Sequence, residues 1–217
     1  MVEVAYKKST IREYFESLVI TVILALFGTT FIVQAFKIPS GSMEDNLRIG
    51  DHLLVNKFIY GGAPTAAERA LLPVRDIRRG EVIVFKYPKE PDRDFIKRVI
   101  GLPGETVELR RKAVYINGKP IDESQWHLKF KFPAPPEGAP QQAQLDAFGP
   151  VTVPEGHLFM MGDNRDDSLD SRYWNFLPLT YVKGRAMTIY FSYDPDATGA
   201  ASLLTSIRWG RLFRQVH

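Results

Sequence analysis

The chain has 217 residues, 45% hydrophobic and 24% charged, which suits one folded domain with or without a sizeable insertion and excludes a disordered or low-complexity protein. It has no cysteine, which excludes disulfide scaffolds, zinc knuckles, iron–sulfur clusters and thiol nucleophiles. A net charge of +3 is too small to argue for nucleic acid, and a mean hydropathy of −0.16 excludes a protein built of many membrane spans.

From Ser17 to Phe36 the chain reads SLVITVILALFGTTFIVQAF, a stretch without a single charge. As a helix rising about 1.5 Å per residue it would cover roughly 30 Å, the thickness of a bilayer's hydrocarbon core. No polar face interrupts it, so a surface-lying amphipathic helix does not fit. Three readings compete. The stretch is long for a buried core helix. It also exceeds the about 7–15 residues of a signal-peptide core, although Val33-Gln34-Ala35 has the small-x-small form of a cleavage site. A retained transmembrane helix at 17–36 is favoured. Lys7, Lys8 and Arg12 before it against Lys37 and Arg48 after it favour an N-terminus (1–16) on the inside.

After this span the pattern is that of strands. Segments 52–60, 81–88, 94–102, 105–118, 157–163 and 185–194 are rich in β-branched and aromatic residues and bounded by Gly, Pro, Asp and Asn. Asn117-Gly118 is a strong hairpin signal. Ala66–Leu72 has room for a helical turn or two. The prolines between Gln125 and Pro154 exclude central strands over most of that stretch and suggest an accessory lobe. The expected architecture is a mainly antiparallel β domain. The tail SIRWGRLFRQVH interleaves Arg208, Arg211 and Arg214 with aromatic and aliphatic residues. It reads either as a strip for an anionic membrane surface or as a last strand or turn packed on the domain.

Without cysteine, a covalent nucleophile must be Ser, Thr, Lys or a carboxylate. None of the four histidines has metal-ligand spacing, and His52 reads as a half-buried strand residue. Three segments stand out. Ile38-Pro39-Ser40-Gly41-Ser42-Met43 sets two serines about a glycine, which taken alone reads as a loop. In Asp94–Ile100, Lys97 shares a strand face with Phe95 and Val99. Desolvation there would lower its pKa and make it a usable base, although a snorkelling lysine is the commoner outcome. Gly162–Arg172 crowds Asp and Arg closely enough for several ion pairs in one turn, or forms a solvated polar turn. A calcium loop fails, because positions three, six and twelve from Asp163 hold Arg165, Ser168 and Trp174.

Together these segments resemble the bacterial type I signal peptidases, membrane serine proteases that use a Ser/Lys dyad. The blocks occur in order: IPSGSM at 38–43, Gly50-Asp51, RGEVIVFKYP at 79–88, DFIKRVIGLPGE at 94–105 and GDNRDDSLDSR at 162–172. The resemblance implies Ser42 as nucleophile and Lys97 as general base. It implies Ser40 in the oxyanion hole, Ser168 orienting the lysine, and Asp163, Arg165, Asp170 and Arg172 as charged support. Ile38, Pro39, Met43, Leu47, Phe95 and Ile96 match positions lining shallow substrate pockets. The implied fold is an antiparallel catalytic domain (37–217) of the kind shared with LexA-type autoproteases, carrying a small accessory β lobe at roughly 106–156. The implied activity is removal of signal peptides from exported preproteins after small residues at P1 and P3, by a single-pass monomer in the cytoplasmic membrane with its catalytic domain outside the cytoplasm. Ser42, six residues beyond Phe36, would lie near the membrane surface. No cofactor, metal or nucleic acid is implied. A relative devoted to one substrate such as a conjugation pilin, or an idle membrane-tethered β module, are the alternatives. The chain departs from the family at Glu44-Asp45-Asn46, where x-Pro-Thr is usual, and at Asn175, where glycine is common; Glu44 and Asp45 are expected to point away from Lys97.

Overall fold

The computed structural model describes residues 9–28, 33–60, 74–134, 147–197 and 206–217. Helix α1 runs from Thr10 to Phe27. The Ser9 hydroxyl caps it by accepting from the Arg12 amide at 3.4 Å, and Glu13 sits in the first turn, where the helix dipole favours an acid. The expectation of one helix over 17–36 is corrected at its far end. Val33–Phe36 belongs to strand β1 (Val33–Lys37), paired antiparallel with β2 (Asp51–Asn56) in a register that sets Ala35 opposite Leu54. With Arg12, Glu13 and Glu16 inside α1, no described helix is long and apolar enough to cross a membrane. The helix is nonetheless bare, with Ile11, Phe15, Leu18, Ile20, Ile23 and Leu24 exposed around its circumference.

The remaining strands are β3 (Val82–Tyr87), β4 (Glu90–Gly101), β5 (Thr106–Arg110), β6 (Ala113–Ile116), β7 (Lys119–Pro120), β8 (Ala147–Thr152), β9 (His157–Met161), β10 (Leu177–Pro178) and β11 (Val182–Ser192). A seven-stranded antiparallel sheet has the order β1-β2-β11-β3-β4-β9-β10, and a four-stranded sheet has the order β7-β6-β5-β8. Val82 and Val84 of β3 face one apolar cluster with Leu53, Val55 and Ile189, while Ile83 and Phe85 face another with Val99, Leu158 and Trp174. β3 therefore reads as a continuous hydrophobic run because both of its faces are buried. A third cluster, which includes Ile100, Val107, Leu109 and Phe159, joins the two sheets. Asn117 and Gly118 turn β6 into β7 with φ of 51° and 77°, the double left-handed turn that Asn-Gly favours. β8 carries Pro150 at the free edge of the small sheet, where a missing N–H costs no ladder bond. The helical turns considered at 66–72 lie outside the described residues.

The tail is tied down rather than displayed. Val216 and Phe213 hydrogen-bond to Met187 and Ile189 of β11. Arg211 is buried and grips Asp51 at 2.5 and 3.0 Å, and Arg208 donates to the Ile49 carbonyl at 2.9 Å. Trp209 and Phe213 remain exposed.

Candidate active site

Lys97 and Arg98 are neighbours on β4, so their side chains leave opposite faces of the sheet. Both are buried, at 3% and 0% exposure. Lys97 Nζ donates to the Ile96 carbonyl at 3.0 Å and lies 2.6 Å from Ser42 Oγ. Burial drives its pKa from 10.5 down to about 8, against the upward pull of Asp170 and Asp163. At pH 7 roughly one such lysine in ten is neutral, against fewer than one in a thousand in water. Arg98 blunts one of those acids. Its Nε and Nη2 sit 2.7 and 2.6 Å from the two Asp163 oxygens, and Nη1 donates to the Gly80 carbonyl at 2.6 Å.

Ser42 rides on a single 3₁₀ turn, Gly41–Met43. The turn is held from the facing loop: the Asn164 amide donates to the Ser42 carbonyl at 3.1 Å and its side chain to the Gly41 carbonyl at 3.0 Å. Gly162 makes this approach possible, because a Cβ there would overlap both the Ser168 hydroxyl and the Ser42 carbonyl oxygen. Ser168 is buried beside it, and its hydroxyl makes no hydrogen bond; the lysine's bonds go to Ser42 and Ile96 instead.

Asp170 caps helix α2 (Ser171–Trp174), accepts from the Gly162 amide at 3.0 Å, and is clasped by Arg172 at 2.8 and 2.9 Å. Arg172 also donates to the Arg165 carbonyl at 2.6 Å. The expected ion pairing within one turn is found only for Asp170–Arg172 among these residues. Asp163 pairs with Arg98, Arg165 with Glu123, and Asp166 with Lys112, so the segment is tied to three separate parts of the chain.

A groove of about 690 Å³ opens over Ser42 and Lys97, lined also by Phe36, Pro39, Ser40, Gly41, Arg93, Asp94, Phe95, Ile96, Asp167 and Leu169. Of the six residues expected to line substrate pockets, Pro39, Phe95 and Ile96 do so. Ile38, Met43 and Leu47 are instead at 0–1% exposure in the core with Leu53, Val55 and Val84, because the turn that presents Ser42 directs its large apolar side chains inward. Glu44 pairs with Lys129 at 2.8 Å and takes no part in the Lys97 environment. Asp45 has φ of 77°, a conformation closed to the proline usual at that position. His52 packs edge-on against Tyr190 and Phe191 and tilted against Tyr193, with ring centroids 5.7–5.9 Å away. Among the described residues there is no cluster able to hold a metal ion.

Arg98, Asn164 and Gly162 are the site residues that sequence reasoning passed over. Each lies inside or beside a block already singled out. The signal for Arg98 is a second charge next to Lys97 in the otherwise apolar half of β4 from Phe95 to Ile100, where a buried guanidinium demands a counter-ion.

The family model for signal peptidase, peptidase S26, matches residues 11–191. The chain belongs to the signal peptidase family, peptidase S26. Signal peptidase I of Pseudomonas aeruginosa is 35% identical, across 88% of this chain and 75% of that protein. Signal peptidase I of Aquifex aeolicus is 34% identical, across 91% of each. A solved signal peptidase I from Enterococcus faecalis is 33% identical over 51% of this chain and 97% of that one, with a TM-score of 0.40. Membership rests on the family model and the sequence relatives. A peptidase S26 member is a serine endopeptidase, so this chain is an enzyme of that class.

Proposed function

We propose that this peptidase removes signal peptides from exported preproteins after small residues at P1 and P3, with Ser42 as nucleophile and Lys97 as general base. The observation that carries the reading is the 2.6 Å contact between Lys97 Nζ and Ser42 Oγ at a lysine whose burial lowers its pKa to about 8. Neutral Lys97 takes the Ser42 proton as Oγ attacks the scissile carbonyl carbon. The oxyanion is met by the Ser40 hydroxyl and the Ser42 backbone N–H, donors of a kind worth about 3–4 kcal/mol each. As the tetrahedral adduct collapses, the Lys97 ammonium gives its proton to the leaving amine. The acyl ester on Ser42 is then cut by a water that Lys97 deprotonates. Ser168, with its buried and unpaired hydroxyl, is suited to accept a third N–H once the lysine is charged. The walls formed by Phe36, Pro39, Phe95 and Ile96 favour small side chains near the scissile bond.

The bare apolar surface of α1 supports a single-pass membrane anchor, with Lys7, Lys8 and Arg12 favouring an N-terminus inside and a catalytic domain outside the cytoplasm. The reacting groups Ser42 and Lys97 come from one chain, in keeping with a monomer. An idle binding module has no use for a buried lysine, which costs stability.

Purified protein in detergent is expected to cut a preprotein after an Ala-x-Ala site. Ser42→Ala and Lys97→Ala should each lower the rate by at least about 10³-fold, with circular dichroism unchanged. Full activity in Lys97→Ala would remove the dyad from consideration. A profile limited to one native preprotein would point to the specialised enzyme.

A further inference from the structure

The buried Arg98–Asp163 pair has a third member, on the segment just after Ser42. Asn46 Nδ2 lies 2.7 Å from Asp163 Oδ2, the oxygen that Arg98 Nη2 already holds at 2.6 Å. A carboxylate paired with a guanidinium only accepts, so the amide edge facing it is the N–H edge. Asn46 is also held through its backbone, where Arg211 Nη2 donates to the carbonyl at 2.9 Å while the same guanidinium grips Asp51. Between Ser42 and Asn46 the chain folds on itself through Glu44 N to Gly41 O at 3.0 Å and Leu47 N to Met43 O at 2.8 Å, with Asp45 at φ 77°. Thus one end of this short segment carries the hydroxyl that meets Lys97 and the other is fixed to an acid on the far side of β4.

We propose that Asn46 is a positioning residue for catalysis: its amide ties the Ser42–Asn46 turn to Asp163 and thereby holds Ser42 Oγ at hydrogen-bond distance from Lys97. This rests on the reading of Ser42 and Lys97 as the reacting pair. Asn46 itself touches no reacting atom. Its effect is on alignment, and a misplacement near 1 Å at a reacting centre is enough to cost up to about 10²-fold.

The test is steady-state cleavage of a preprotein in detergent by wild type, Asn46→Ala, Asn46→Asp and Asn46→Thr, each assayed well below its own melting temperature and normalised to folded protein. Asn46→Ala is expected to lower kcat about tenfold with KM changed less than about twofold. Asn46→Asp keeps the shape but turns an acceptor toward an acceptor, and should fall at least as far. Asn46→Thr restores a donor without the shape and should recover most of kcat. Should Asn46→Ala not fold, the Asp and Thr variants carry the comparison. Wild-type kcat per folded molecule in Asn46→Asp, or no rescue by Asn46→Thr, overturns the positioning role alone. An inactive wild type overturns the dyad reading, and the positioning role falls with it.

Discussion

Lys97 has to lose a proton to act as a base, yet Asp163 and Asp170 both pull its pKa upward. Burial wins, and the balance has a measurable sign. The folded lysine titrates at about 8 against 10.5 for the free side chain, so the folded state gives up its proton first. Stability therefore rises with pH between those values, and below the lower one the full penalty of about 3 kcal/mol applies. Lys97→Met is expected to be inactive but more stable at pH 7, by up to about 3 kcal/mol in urea unfolding, with the gap closing as pH rises through the window. In wild type, kcat/KM should climb about tenfold per pH unit on the acid side of about 8 and level off above it. A pH-independent rate from 6 to 9 would contradict this. At this scale part was legible: a lysine among apolar strand neighbours offered a lowered pKa as one of two outcomes, beside the commoner snorkelling side chain, and the 3% exposure of Lys97 decides between them. Its neighbour Arg98 was not read as part of the site, because a sequence does not say which of several distant acids will supply a counter-charge. The identity of Asp163 as that partner is a property of the β4–β9 pairing, in which Arg98 stands opposite Met161, two residues before it.

Among the elements, the loop after β9 governs how close the two halves of the site come. Gly162 sits where the Ser42 turn, Ser168 and the Asp170 cap converge. Gly162→Ala should cost about 1–3 kcal/mol in thermal or urea unfolding through overpacking, and lower kcat by more than the Asn46 substitutions do, because it displaces Ser42 and Ser168 together. Wild-type activity in that variant would mean that the loop yields freely. Strands β2, β3, β4, β9 and β11 were visible as short β-branched and aromatic runs with Gly, Pro and Asn at their ends. Their order in the sheet was not, since register and neighbours depend on which apolar faces meet. The far end of the apolar span was misjudged for a related reason. Hydropathy registers that Val33–Phe36 avoids water, but β2 satisfies that preference as well as lipid does, and the backbone N–H and C=O groups find partners either way. The pocket residues Ile38, Met43 and Leu47 likewise read as apolar and near the serine, without indicating which way the turn aims them.

For the molecule as a whole, helix α1 and the tail make opposite demands on water. The exposed apolar side chains of α1 should carry the protein to the top of a density gradient with vesicles, and a form lacking residues 1–28 should stay at the bottom while still cutting a soluble peptide. Co-flotation of the shortened form would shift membrane affinity to the β domain. The tail, which the sequence left divided between a membrane strip and a packed segment, spends Arg211 on Asp51 and Arg208 on Ile49 and Asp194. Burial by itself would raise the Asp51 carboxyl, but the Arg211, Ser192 and Arg48 hydrogen bonds outweigh it and hold the group below its ordinary value.

The short reach from α1 to β1 has a kinetic meaning. Gly28 and Val33 are separated by a length of chain that extends to about 17 Å at most. β1 is an edge strand of the catalytic sheet, and Phe36 on it forms a wall of the groove. If α1 lies in a bilayer as proposed, the groove is leashed to a thin layer above the lipid and can sweep it only by lateral diffusion. A substrate whose own apolar segment lies in the same bilayer then meets the enzyme by a two-dimensional search. Encounter frequency in that regime depends on copies per unit of membrane area, so diluting the enzyme with added lipid should slow cleavage even when its concentration in the whole solution is constant.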